Sequence, residues 1–187
     1  MLELRVGRPA EPAFLRRLQQ GRVPRRVFLR WLGQKRHLLE ADLALGGRLL
    51  LLGPQPHRLV WVNLLAFMVE ELDWLAGLEL PREPLFPSLR RHLSLQEDAY
   101  ASGVVALWAR KQVFFQPWNS LVPEGMPDWA FEAYLRWTGP EVKALLHDLG
   151  GLVLELLPEL PSGALEAALE QALALEEGLG AAASKKA

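Results

Sequence analysis

The chain has 187 residues, half of them hydrophobic, a formal net charge of −1 and no cysteine. This is enough apolar material for one domain, residues 1–187, with a substantial core. It excludes a disulfide framework, a thiolate metal site and a cysteine nucleophile, and the near-zero charge gives no global argument for nucleic acid.

Helical periodicity dominates from the amino end onward. Met1 to Gly7 is too short and too charged for a signal peptide, and no stretch approaches the ~20 apolar residues of a membrane span. A cytoplasmic protein without a membrane partner is expected. Pro9 to Gln20 reads as a first helix stopped by Gly21. Pro24 opens a long second helix, expected to end at Gly46-Gly47, since Pro favours the first turn and Gly the position past the end. After Pro54 and Pro56, His57 to Ala76 carries Trp61, Leu64, Leu65, Met68, Leu72 and Leu75 at three-to-four spacing. Pro81, Pro84 and Pro87 mark a bend before a short helix near Ser88 to Leu93.

Ser94 to Glu97 reads as a capping box, in which the serine hydroxyl and the glutamate each satisfy an orphan amide. The helix it opens holds Tyr100, Val104, Leu107, Trp108 and Lys111 and ends near Pro117. Pro127 starts the next, to about Trp137. Thr138-Gly139-Pro140-Glu141 is a second capping box, followed by the apolar stripe Val142, Leu145, Leu149, Val153 and Leu156. Ser162 is the expected cap of a last helix to about Gly180, with residues 1–8 and 181–187 expected as loose tails. The fold class is therefore all-α, a bundle of about seven or eight helices with short connections.

Basic residues crowd the amino end. Ten of them lie between Met1 and Arg36 against the two acids Glu3 and Glu11, while Glu141 to Glu177 is acidic. The expected reading is a solvated face meeting the acidic carboxyl end, within one chain or between copies, since no DNA-reading motif or interleaved aromatics accompany the arginines. No nucleic-acid partner is expected. Isoleucine is absent and asparagine is confined to Asn63 and Asn119, a composition that fits a GC-rich genome and a thermophilic source.

The segment Phe14 to Leu39, FLRRLQQGRVPRRVFLRWLGQKRHLL, carries a more specific signal. Its short helix, Gly, Pro and following helix with Phe and an aromatic resemble the opening of the TenA/thiaminase-II family, within the haem-oxygenase-like all-helical group. The resemblance extends over nearly the whole chain through the order and spacing of helices. It implies a central ligand pocket in which an Asp on the second helix holds an aminopyrimidine, a Cys before Leu-Trp is the nucleophile, a Tyr assists and a last-helix Glu handles protons.

Carried over position by position, that set is degraded. The Gln-Asp pair falls on Gln34-Lys35, and Cys-Leu-Trp falls on Ala106-Leu107-Trp108. The Tyr falls on Trp137, with Tyr134 one step out of register, and the Glu on Glu176 or Glu177. Thiaminase-type cleavage needs a nucleophile and a general acid/base. Ala106 supplies no nucleophile, and Lys35 repels rather than accepts an exocyclic amine. The expected pocket residues are Gln34, Lys35, Leu38, Ala106, Trp108, Trp137 and Glu176, with no confident catalytic residue and no cofactor.

Three readings follow. In the first, a divergent TenA-like protein without thiaminase-II activity binds a small anionic or pyrimidine-like ligand and forms a homo-oligomer. In the second, the pocket is filled by side chains, and the chain is a structural or interaction protein. The third is a metal-dependent oxidase of the same helical group. For the last, His37 and Glu40 share a helix face, with Glu71 and His147 on other helices, but His147 has no second His one turn away. No metal is therefore expected. Glu40, Glu70, Glu71 and Glu97 are available carboxylates without diagnostic spacing, and Gly46-Gly47 and Gly150-Gly151 lack the flanks of a phosphate loop. Lys35 follows Phe28 and Trp31 on the inward face at three-to-four spacing. A buried ammonium needs a partner, so Lys35 should pair with Glu176 or contact a bound anion.

Overall fold

In the computed structural model, residues 13–93 and 99–185 are described, and among them the chain forms eight α-helices and no strand. They are α1 (Ala13–Gln19), α2 (Arg25–Leu52), α3 (Arg58–Ala76), α4 (Pro87–Leu93), α5 (Tyr100–Phe115), α6 (Asp128–Thr138), α7 (Pro140–Leu156) and α8 (Ala164–Ser184). No helix among the described residues is long and apolar enough to cross a membrane.

Helix α5 packs against α8, α7 and α2, and α2 against α3. The core falls into two apolar halves along the helix axes. One gathers Phe14, Leu18, Phe28, Trp31, Trp118 and Trp137, and the other Leu49, Trp61, Met68, Val104, Leu107, Trp108 and Leu149. The first is unusually aromatic: Trp118 and Trp137 stand 4.7 Å apart edge to face, and Phe14 stacks on Trp31 at 5.0 Å. Such pairs add about 0.5–1.5 kcal/mol each beyond their burial.

Four helix-end expectations are corrected. Helix α2 passes through Gly46-Gly47 and stops at Gly53, whose N–H donates to the Leu49 carbonyl at 2.8 Å. Gly46 is there for close packing instead: a Cβ on it would meet Leu65 Cδ2 at 3.1 Å and Met68 Cε at 3.3 Å. The Thr138 capping box does not form, because Thr138 Oγ1 donates back to the Tyr134 carbonyl at 2.8 Å and Gly139 takes the cap position. Gly163, at φ 80°, precedes α8 in place of Ser162, a left-handed conformation that suits glycine. Finally, α8 continues to Ser184; the expected loose tail is helical there, with Ala183 buried and its carbonyl accepting from Arg30 Nη1 at 2.8 Å. The expected Ser94 box and the start of the first helix at Pro9 lie outside the described residues.

Gly180 gives a stability test of this packing. A Cβ there would sit 2.7 Å from Phe14 Cβ, an atom that no rotamer change can move. Gly180→Ala should therefore lose about 1–3 kcal/mol to overpacking, outweighing the roughly 1 kcal/mol that alanine gains in helix propensity. A lowered urea midpoint at unchanged slope is the expected reading; an unchanged or raised midpoint would show that α1 and α8 do not approach so closely.

Candidate ligand site

A layer of ionisable side chains crosses the bundle where the two apolar halves join. It is built from α2 (Lys35 and Asp42), α3 (Glu71), α5 (Arg110 and Lys111) and α8 (Glu176). Lys35, Asp42, Glu71, Lys111 and Glu176 are all buried. Each occupies one turn of an otherwise apolar face, such as Glu71 between Met68 and Leu75.

Three clusters make up the layer. Lys35 Nζ donates to Glu176 Oε1 and lies 3.8 Å from the centre of the Phe114 ring. Burial holds the Lys35 ammonium below its ordinary range despite the upward pull of Glu176. Lys111 Nζ donates to Asp42 Oδ2 at 2.6 Å, and Arg110 Nε reaches Asp42 Oδ1 at 2.8 Å. Burial alone would raise the Asp42 carboxyl, but Arg110 and then Lys111 outweigh it and hold Asp42 below the usual carboxylate value. Glu71 accepts from Arg136 Nε and from Trp137 Nε1, the latter at 2.7 Å, and burial still raises its carboxyl above the ordinary value.

These side chains fill most of the space between α2, α3, α5 and α6. A chamber of about 40 Å³ remains, lined by Lys35, Asp42, Glu71, Lys111, Phe114 and Trp137 among others. A far larger cavity, about 450 Å³, opens on the other side of Asp42 and Arg110, between α2, α5 and α8. Its floor is mostly small and apolar, with Ala41, Ala106, Ala168 and Ala172. Asp42, Arg110 and His92 form a polar wall, Arg48, Ser102 and Gln171 add further polar groups, and Leu38, Asp42 and Arg110 line both spaces. His92 Nε2 accepts from Arg110 Nη1 at 3.3 Å, which places the ring proton on Nδ1. Burial first, and Arg110 second, bring the His92 pKa down to about 4, so the ring is neutral at neutral pH.

The expected pocket residues are thus distributed. Lys35 and Glu176 meet, and Lys35, Leu38 and Trp137 line the small chamber. Ala106 lies in the wall of the large cavity. Gln34 lines neither: its Nε2 donates to the Pro84 carbonyl at 3.2 Å and its Oε1 accepts from the Phe86 N–H at 2.8 Å, tying α2 to the proline-rich connection. Trp108 belongs to the opposite half of the core from Trp137, so the two do not floor one pocket. Tyr134 stacks on Phe131. Glu40 is on the surface with Arg36 and His37, and His147 is exposed on α7. Among the described residues, no three His, Asp or Glu side chains come together as metal ligands.

Sequence reasoning missed Asp42, Arg110 and His92 as a wall. Asp42 does lie one and two turns along α2 from Leu38 and Lys35, on the same face, and that spacing is the signal that was available.

This arrangement of helices defines a TenA-like all-α fold. It matches the X-ray structure of a TenA homologue from Pyrococcus furiosus with a TM-score of 0.72, covering 90% of this chain and 87% of that one at 15% sequence identity. No family model matches the chain, and no curated protein does.

Proposed function

We propose that this chain is a TenA-like protein that binds a small anionic or planar ligand in the cavity between α2, α5 and α8 and does not carry out thiaminase-II hydrolysis. The observation that carries the reading is the 450 Å³ cavity itself, within the size range of small-molecule sites, with Ala106 in its wall at the position where the resemblance puts a nucleophile. An alanine methyl forms no covalent intermediate. The Lys35 ammonium is engaged by Glu176, and Asp42 is held ionised between two cations, so neither is placed to hold an aminopyrimidine.

Purified protein is expected to show no turnover of thiamin or aminopyrimidine precursors; any turnover abolished by substitution of a cavity residue would overturn this part. Ligand binding is read by thermal shift against small carboxylates, pyrimidines and their phosphates. Ala106→Trp, which fills the cavity, should remove every shift the native protein shows. Shifts that survive it would move the site elsewhere.

The filled chamber beside Lys35 favours a second reading, a structural or interaction protein, which a complete absence of shifts would support. Association of copies is part of either reading. The exposed apolar residues Leu59, Val62 and Val69, spaced along one face of α3, support it, and light scattering on the purified protein tests it.

A further inference from the structure

The cavity's ligand class follows from the charge around Arg110. In the buried layer, Lys35 has Glu176, and Glu71 is met by the part-exposed Arg136 reaching in from α6, whereas Arg110 and Lys111 share the one carboxylate of Asp42. Among the described residues, with Arg136 counted, four cations face three carboxylates, leaving one positive charge in excess. Of the two cations on Asp42, Arg110 is the one that lines the large cavity. Lys111 holds Asp42 Oδ2 by a hydrogen bond, but the Arg110 Nε contact with Asp42 Oδ1 is off the N–H axis, and neither atom has a hydrogen-bond partner. The other Arg110 contact, to His92, is with a neutral ring. Arg48 also lines the cavity, about 9 Å along α2 from Asp42, and is engaged in a contact of its own. A guanidinium presents a fork of donors that matches the two oxygens of a carboxylate.

Resting on the reading that this cavity binds a ligand, we propose that it takes a small monocarboxylate with an apolar body, the carboxylate on the Arg110 guanidinium and the body on the floor of Ala41, Ala106, Ala168 and Ala172. One negative charge balances the excess. A phosphate dianion overshoots it beside Asp42, and a neutral or cationic aminopyrimidine leaves it unmet.

Calorimetric titration at neutral pH with benzoate, hexanoate, benzamide, hexanamide and phenyl phosphate tests this. Each carboxylate should bind at least about tenfold more tightly than its amide, the difference a charge-assisted pair makes over a neutral one, and phenyl phosphate should bind more weakly than benzoate. Arg110→Met should erase the carboxylate preference and leave amide binding in place. Arg110→Lys, which keeps the charge and loses the fork, should retain a reduced preference. Amides or phosphate binding as tightly as carboxylates, or a preference unchanged in Arg110→Met, would overturn the proposal while the cavity reading stands. If no probe of any charge binds, the cavity reading falls first and the proposal with it. Should Arg110→Met fail to fold, the native ranking of the five probes still decides.

Discussion

Lys35→Met is expected to destabilise the protein by about 3–5 kcal/mol, the usual cost of stranding the other half of a buried ion pair. The stranded group is Glu176, 7% exposed, with Phe114 and Trp31 rather than water around the vacated ammonium. Adding Glu176→Leu should recover the loss, so that the double variant equals or exceeds the native protein. The reason lies in the balance at Lys35, where burial outweighs the attraction of Glu176 and lowers the ammonium pKa. A pair whose desolvation is not fully repaid loses little when both charges become apolar. Chemical denaturation of the four proteins of the cycle measures this. If the double variant is no more stable than Lys35→Met alone, the two residues are not coupled as described.

Asp42→Asn is the second large effect. It strips the shared carboxylate from Arg110 and Lys111 together and leaves two cations in a buried layer, at a cost of about 3–5 kcal/mol or more. Its pH signature is distinct. The folded carboxyl lies below its unfolded value of 3.8, so the unfolded chain binds more protons as pH drops through that region. The stabilisation from Asp42 is therefore complete above pH 3.8 and is lost as pH falls towards the folded value. Glu71 has the opposite sign: its folded carboxyl is raised, so its contribution is present below its unfolded value and declines as pH rises towards the folded one. The variant should lose the Asp42 acid slope below pH 3.8 and keep the Glu71 decline as pH rises past 4.5. Unfolding free energies that remain parallel to the native ones down this range would show that Arg110 and Lys111 do not rely on Asp42.

The helices themselves were largely legible. Pro24, Pro87, Pro127 and Pro140 stand within a residue or two of observed helix ends, because a missing N–H acts locally. Gly46 misled for the converse reason: its role is set by Leu65 and Met68 on another helix, which no local rule registers. Thr138 and Ser162 had the chemistry of caps but lost the position to an adjacent glycine. In the candidate site, the inward placement of Lys35 followed from its spacing with Phe28 and Trp31. The wall of Asp42, Arg110 and His92 joins three helices, and only Asp42 carried a signal, its spacing from Lys35 and Leu38; Arg110 and His92 alone read as ordinary surface residues. Gln34 had the family's position but serves the backbone of the connection after Pro81.

Arg30 binds Glu83 and the Ala183 carbonyl, the latter 153 residues further along the chain. A ribosome making about 5–20 residues per second needs roughly 8–30 s to cover that distance. Through that interval Phe14, Leu18 and Trp31 are already made while Leu179 and Ala183, members of their own core, do not yet exist. The nascent chain therefore carries this aromatic core without its α8 cover until the last stretch is made. Shielding by a chaperone would matter most at this end of the molecule.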